Sequence, residues 1–208
     1  MSVPARQGAG VDKRRLILDA AVNVFAERGF YHCRVSDVAD EAGVAYGLVY
    51  HYFKSKDEIL DTLFLERWRL MLALIDEVAE REDPARDKLF AVASFIVDSY
   101  RYAPAVMKVI IVEVTRAANG FGRTHLELIR EAFGKIAGIV EAAQQSGEFR
   151  DSVAPGFAAM AFYGAIEQVL TQWIFDDMPE SEDEYDRAKR YIVETICDGL
   201  SAPVRPAD

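Results

Sequence analysis

The stretch from Val35 to Lys56 constrains the fold of this chain more than any other part. Its apolar residues recur at helical spacing as far as Ala42, Gly43 follows, and a second helical pattern begins at Val44. Glycine tolerates the positive φ that ends one helix and turns the chain sharply into the next. The stretch therefore predicts two short helices joined at Gly43, which is a helix-turn-helix arrangement.

The second of these helices, from about Tyr46 to Phe53, is too short to be stable alone. In a helix-turn-helix, the second helix enters the major groove of DNA. Tyr46 and Tyr50 lie one turn apart on one face, and Gly47 between them leaves room for a close approach of backbone to DNA. We expect the two tyrosines to contact bases.

Other polar residues near this helix are placed to contact phosphates. Hydrogen-bond donors at the edge of a recognition helix meet the sugar-phosphate backbone, which fixes orientation without reading sequence. The residues assigned to DNA in this way are Arg34, Ser36, His51, Tyr52, Lys54 and Lys56. Lys56 also lies just inside the next helix, whose start is marked by a Ser55-x-x-Glu58 capping box.

Residues 12 to about 60 resemble the DNA-binding domain of the TetR family of bacterial transcriptional regulators. The matching sequences are Ile17–Ala21, Phe25–Phe30, Val38–Val44 and Val49–Lys56. The family usually places Thr or Ser before the first helix of the motif, whereas this chain has Cys33 and Arg34. The helix cap must then come from another group, and Arg34 replaces a neutral phosphate contact with a charged one.

The charge distribution agrees with a DNA-binding segment at the N-terminus. The 208 residues carry a net charge of −10, which alone argues against a nucleic-acid partner. Residues 1–56, however, hold eight Lys or Arg and six Asp or Glu, so the acidic excess lies in the remainder. Arg6, Lys13, Arg14 and Arg15 precede or open the first helix, and they are either an arm that reaches DNA or a solvated tail.

The rest of the chain predicts only helices, so the expected fold is all-α. We predict a flexible basic arm at 1–11, a helix-turn-helix domain at 12–56 and a ligand-binding and dimerisation domain at 57–208. The fourth helix, from Lys56 to about Glu82, links the two domains. A helix from Pro155 to Asp176 is apolar nearly all round, and such a helix must be covered on more than one side. We expect it to form a homodimer interface with the last helix, as the family does.

The TetR resemblance implies a small-molecule site in the acidic domain. The predicted apolar lining is Phe95, Ser99, Tyr102, Met107, Ile111, Phe133, Phe162, Ile166 and Trp173. Taken singly, each of these residues is equally compatible with an ordinary core position. The segments Gln145–Glu148 and Thr171–Trp173 are similar in sequence to those of a TetR subgroup that controls fatty-acid degradation and responds to long-chain acyl-CoA. For such an effector, Arg116, Arg123 or Arg101 would meet the CoA phosphates.

The sequence favours a cytoplasmic DNA-binding repressor over other classes. It contains no GxSxG, HExxH or P-loop motif, and its two cysteines have no metal-ligand spacing, so we expect no enzyme, metal or cofactor. The expected partners are a pseudo-palindromic operator, a second copy of the chain and an apolar effector. The alternatives are a regulator of drug-efflux or catabolic genes with another apolar effector, an architectural DNA binder, and a helical ligand-binding protein without a DNA role.

Overall fold

The computed structural model describes residues 7–113 and 123–198, with side chains from 13 to 112 and from 125 to 198. Throughout these ranges, every regular element is helical, as predicted. The α-helices are α1 Gln7–Arg28, α2 Val35–Glu41, α3 Tyr46–Tyr52, α4 Lys56–Ala79, α5 Ala85–Tyr102, α6 Pro104–Lys108, α7 Arg123–Gln145, α8 Pro155–Ile174 and α9 Glu182–Asp198. A 3-10 turn, Phe30–His32, follows α1, and a π-helical turn, Val109–Glu113, continues α6. No helix in the described ranges has the length and apolar character needed to cross a membrane.

Packing divides the chain into two compact units. The first contains α1 to α3, the start of α4, and α6 with its π-helical turn. The second contains the rest of α4 together with α5, α7, α8 and α9. The division falls inside α4, between Arg67 and Trp68. The domain boundary predicted at residue 56 stays a prediction of where an independently folding domain ends.

The core of the first unit is the apolar stripe of α1 packed against α2. Ile17, Ala21 and Phe25 have no accessible surface, which agrees with the predicted inner face. Two apolar or aromatic residues near this stripe, Leu16 and Tyr31, are predicted from the sequence to pack into the same core but are 45% and 62% exposed. Leu16 precedes Ile17 and so points about 100° away from the buried stripe.

The N-terminus of α2 is capped from inside the helix. The backbone N–H of Arg34 donates to Asp37 Oδ2 at 2.6 Å, and the Arg28 guanidinium lies 3.0 Å from Asp37 Oδ1. Asp37 thus supplies the cap that Cys33 and Arg34 cannot provide. At the other end of α2, Gly43 has φ 62°, as the turn requires.

Some helix ends differ from the predicted ones. α1 begins at Gln7 rather than Asp12, since no proline between them interrupts the backbone hydrogen bonds. Part of the predicted arm is therefore helical backbone, and residues 1–6 lie outside the described residues. α4 ends at Ala79 instead of Glu82, which makes it about 36 Å long. α6 changes to a π-helical turn at the β-branched run that begins at Val109, and the predicted continuation to Asn119 lies outside the described residues.

The second unit is built around α8. One face of this helix is buried through Phe162, Ile166, Leu170 and Trp173, each at most 1% exposed. The opposite face keeps large apolar side chains at the surface, with Phe157 61% and Met160 56% exposed. The sequence prediction that α8 is apolar on more than one side is thus confirmed.

The first turn of α5 is capped by a residue far along the chain. Both carboxylate oxygens of Glu148 accept backbone N–H groups, from Ala85 at 3.0 Å and from Arg86 at 3.3 Å. The negative charge also lies at the positive end of the helix dipole. The sequence Asp83-Pro84, a cap-forming residue followed by proline, predicts a local cap at Asp83, whereas the structure has Glu148 in this role.

We expect Glu148→Ala to destabilise the second unit by about 1 kcal/mol, the usual contribution of a helix cap. Thermal unfolding followed by circular dichroism measures the effect. Glu141→Ala is the matched control, because it removes the same charge from an exposed position on α7. Identical melting of the two variants would contradict the capping role.

Candidate nucleic-acid interface and ligand site

The exposed face of α3 carries the residues expected to contact bases. Val49 is fully buried and Phe53, which ends the helix, is 3% exposed, so these two side chains fix α3 on the first unit. Tyr46 and Tyr50 point outward and are 53% and 44% exposed. Their hydroxyls are 3.1 Å apart, with Tyr46 donating to Tyr50, and their rings meet edge to face at 5.1 Å. The pair forms one preorganised aromatic surface with its polar ends together.

The chemistry of this pair suits a DNA groove. The hydrogen-bonded contact with Tyr46 raises the pKa of Tyr50, so the Tyr50 phenol keeps its proton. A neutral phenol donates a hydrogen bond to a base acceptor or a phosphate without repelling the negatively charged duplex. One phenol proton of the pair lies between the two hydroxyls, so the pair has one donor left for DNA.

Gly47 leaves an open position between the two tyrosines. A Cβ built at Gly47 meets no atom within 4 Å, and its φ is not in the left-handed region. Neither the fold nor the backbone conformation of the free protein requires glycine at this position. A close approach of DNA to the backbone of α3 gives the residue a reason to be small.

The predicted phosphate contacts lie around the ends of α2 and α3. Arg34, His51 and Lys54 are exposed, whereas Ser36 and Tyr52 are half-buried. The rings of His51 and Tyr52 meet edge to face at 5.0 Å. At the start of α4, Ser55 Oγ accepts the Glu58 N–H at 3.1 Å, and the Glu58 carboxylate accepts the Lys54 N–H at 2.5 Å.

Lys56 has an internal role that the sequence did not indicate. Its Nζ donates to the carbonyl oxygen of Phe30 and, at 2.9 Å, to that of Cys33. The same ammonium group lies 4.4 Å from the centre of the Phe30 ring. Lys56 therefore ties the loop between α1 and α2 to the first turn of α4, while its phosphate contact stays a prediction.

Arg14 also has internal partners, which the sequence analysis missed. Its guanidinium lies 3.0 Å from Glu66 Oε1 on α4 and 5.4 Å from the centre of the Phe53 ring. Arg15 pairs with Asp19 at 2.9 Å. Of the basic cluster, these two arginines therefore pair within the first unit, Lys13 is an exposed residue of α1, and Arg6 lies outside the described residues. The spacing of Arg14 and Glu66 in sequence gives no signal of their pairing.

The predicted ligand-site residues are distributed over both units. Met107, which is buried, and Ile111, which is half-buried, belong to the first unit. The second unit contains Phe95, Ser99, Tyr102, Phe133, Phe162, Ile166 and Trp173. Arg116 lies outside the described residues, and Arg123 begins α7 with a side chain that is not described.

Their environments in the second unit differ. Phe162, Ile166 and Trp173 are core residues, and Trp173 stacks on Tyr100 at 5.7 Å. Phe95, Ser99 and Phe133 are half-buried. Two further residues do not have the environment predicted for them. Tyr102 is 76% exposed, so its ring lies at the surface, and Arg101 pairs with Asp98 and Glu182 rather than standing free for a phosphate.

Comparison with known proteins identifies the family to which this chain belongs. Residues 17–63 match the family model described as bacterial regulatory proteins, tetR family. The fatty acid metabolism regulator protein of Bacillus subtilis is 30% identical over 161 residues, which cover 77% of this chain and 83% of that protein. The chain belongs to the TetR family. It is a DNA-binding transcriptional regulator.

Further relatives agree with this assignment over nearly the whole chain. The HTH-type transcriptional repressor KstR2 of Rhodococcus jostii is 25% identical over 96% of this chain and 97% of its own. The structure of the fatty acid degradation regulator FadR from Bacillus halodurans superposes with a TM-score of 0.80 over 96% of this chain and 98% of that one, at 22% identity, which supports the fold. FadR from Bacillus subtilis in complex with stearoyl-CoA has a TM-score of 0.77 and 26% identity over 90% of this chain and 99% of that one.

We expect Gly47→Ala to weaken specific DNA binding by at least tenfold without lowering the melting temperature. The added methyl group meets nothing in the free protein, and alanine favours a helix more than glycine does. Fluorescence anisotropy on operator DNA and thermal unfolding measure the two effects. Gly134→Ala, on α7 with equally open surroundings, is the control and should leave both unchanged or slightly raise stability. Unaltered DNA affinity of Gly47→Ala would show that DNA does not approach this position closely.

Lys54→Ala and Lys56→Ala should separate phosphate binding from structural support. Lys56→Ala removes two charge-assisted hydrogen bonds, so we expect it to destabilise the first unit by about 2 kcal/mol. Lys54 is exposed, so Lys54→Ala should leave unfolding unchanged but lower the salt dependence of DNA binding by about one unit. Denaturant unfolding and salt titrations distinguish the two outcomes. A Lys56→Ala protein as stable as wild type would contradict the structural role.

Proposed function

We propose that this regulator is a repressor that leaves its operator when a lipophilic effector, a long-chain acyl-CoA, binds its second unit. The observation that carries the proposal is its similarity to a fatty acid metabolism regulator and to a FadR structure that contains stearoyl-CoA. Both similarities extend well beyond the DNA-binding segment, because they cover 77% and 90% of this chain. The members of this family are regulators rather than enzymes. We infer that the chain acts in the cytoplasm without catalysis or a cofactor.

We propose that the residues on and around α3 make two kinds of contact with DNA. Tyr46 and Tyr50 contact base edges, with Tyr50 as the donor. Arg34, Ser36, His51, Tyr52 and Lys54 contact phosphates and set the orientation of the helix. Such a contact set predicts strong salt dependence together with a modest number of base contacts.

We propose that the regulator is a homodimer that joins through α8 and α9. The support is the unpartnered apolar face of α8, where Phe157 and Met160 are more than half exposed, together with Tyr191 of α9 at 58%. Large exposed apolar side chains on neighbouring helices indicate a surface that another chain covers. Two recognition helices related by a two-fold axis would read a pseudo-palindromic operator.

Release of DNA requires that the effector favour one dimer state over another. Moving such an equilibrium from 1:99 to 99:1 takes about 5.5 kcal/mol of differential affinity. A buried CH₂ group contributes roughly 0.8 kcal/mol, so a long acyl chain supplies enough if a minority of its carbons is bound better in one state. The chain continues from the recognition unit into the second unit through α4, which is therefore the natural route of coupling.

The experiment is a fluorescence-anisotropy titration of the full-length protein on its own promoter DNA, with and without palmitoyl-CoA, at two salt concentrations. We expect sequence-specific binding that palmitoyl-CoA releases, and no release by CoA alone. Tyr50→Ala should keep the non-specific affinity and lose the preference for the promoter by about 1–3 kcal/mol.

Other outcomes discriminate between the alternatives. Specific binding that ignores palmitoyl-CoA would retain the repressor and point to a different apolar effector. Equal affinity for promoter and random DNA would favour an architectural DNA binder. Equal loss of promoter and random DNA affinity in Tyr50→Ala would contradict its role in base contact.

A further inference from the structure

Two polar side chains of α8, Tyr163 and Glu167, differ from similar groups elsewhere in the second unit, because no hydrogen-bonding partner for them lies within the described part of the chain. Among the described side chains, no hydrogen bond or ion pair reaches the Tyr163 hydroxyl or the Glu167 carboxyl. Thr171 Oγ1 donates only to the backbone carbonyl of Glu167, at 2.8 Å. Tyr163 and Glu167 are one helical turn apart and so share a face.

The surroundings of this pair are aromatic. The Tyr163 ring meets the Phe133 ring of α7 edge to face at 5.2 Å, and its centre lies 6.0 Å from that of Trp68 on α4. Tyr163, Glu167 and Phe133 all keep some accessible surface. Burial nevertheless raises the pKa of the Tyr163 phenol and of the Glu167 carboxyl, which shifts both groups toward their neutral forms. The pair is therefore partly buried and still has accessible surface.

Other tyrosines of the same unit show how the fold normally treats such groups. The hydroxyls of Tyr100 and Tyr185 both donate to the Glu180 carboxylate, at 2.9 and 2.7 Å. Enclosed polar groups in proteins are nearly always hydrogen-bonded, and leaving one without a partner costs free energy. Among the described residues, neither Tyr163 nor Glu167 has such a partner, and a partly buried pair of this kind beside aromatic rings is suited to a ligand that brings one.

We propose that Tyr163 and Glu167 are the polar recognition point of the effector site, where they hydrogen-bond an uncharged carbonyl or hydroxyl oxygen of an otherwise apolar effector. The inference rests on the proposed function, in which the second unit binds a lipophilic molecule. Trp68 and Phe133 pack against the apolar body, and the phenol donates to the oxygen. The Glu167 carboxyl donates to the oxygen when protonated and accepts from a hydroxyl when ionised. A carboxylate end of the effector is unfavourable here, because it would place a second acidic group in a partly buried position beside Glu167.

The oxygen has two possible sources in an acyl-CoA, the thioester carbonyl and an oxygen substituent on the acyl chain. Three ligands separate them: palmitoyl-CoA, 3-hydroxypalmitoyl-CoA and S-hexadecyl-CoA, the thioether that lacks the carbonyl. Calorimetric titration of the full-length protein gives their affinities. Recognition of the thioester predicts that palmitoyl-CoA binds about tenfold more tightly than the thioether, and recognition of a substituent predicts a similar advantage for the hydroxy compound.

Tyr163→Phe should remove most of the difference in affinity that wild type shows among the three ligands. DNA binding in the absence of effector should stay unchanged. Tyr102→Phe, which removes the hydroxyl of a tyrosine on α5 that is 76% exposed, is the matched control. Glu167→Gln, which keeps a hydrogen-bonding group of the same shape, should retain the discrimination. Equal binding of the three ligands by wild type, or a difference that survives Tyr163→Phe, would overturn the proposal.

A measurement without any effector tests the pair independently of the effector class. If the Glu167 carboxyl lacks a partner in the free protein, Glu167→Leu should raise the melting temperature, whereas Glu141→Leu on the exposed face of α7 should not. A lower melting temperature of Glu167→Leu would show that the carboxyl is satisfied within the protein and would refute the inference. A higher one without binding of any CoA compound would remove acyl-CoA as the effector and support the pair as the recognition point for another apolar molecule.

Discussion

The seven-residue recognition helix depends for its position on contacts made by residues outside it. A helix of two turns forms too few backbone hydrogen bonds to offset the cost of nucleation, so α3 exists only because it is docked. Val49 and Phe53 supply the apolar part of that docking. Lys56 and Arg14 add the polar part, because they connect the loop after α1, the end of α3 and the start of α4. The exposed face of α3 is consequently held in place by this small set of contacts.

Much of this architecture could be predicted from the sequence because its determinants are local. These determinants act within one or two helical turns. They are the spacing of Val38, Ala39 and Val49, the glycine at 43 and the Ser181 cap of α9. The number and order of the helices follow from such features. Tyr46 and Tyr50 share a face for the same reason, so their common exposure could be anticipated from their spacing.

The features that escaped prediction depend on residues distant in sequence. Lys56 looked like a surface cation, and only the folded loop shows that two carbonyl oxygens surround its ammonium group. Asp83 looked like the cap of α5, yet Glu148 occupies that role. The apolar run of α8 gave no reason to distinguish Tyr163 and Glu167 from the buried residues around them. Periodicity indicates which face of a helix is covered, but not which side chain on it lacks a partner.

The capping of α5 by Glu148 also bears on how the chain folds as it is synthesised. Ala85 and Glu148 are 63 positions apart. At 5–20 residues per second, roughly 3 to 13 s pass between the appearance of the helix start and that of its cap. During this interval, the first turn of α5 lacks its cap, and its apolar surface is incomplete because α8 and α9 have not yet been made. The second unit therefore completes its core only after α8 and α9 have emerged, and until then the nascent chain is open to aggregation and proteolysis.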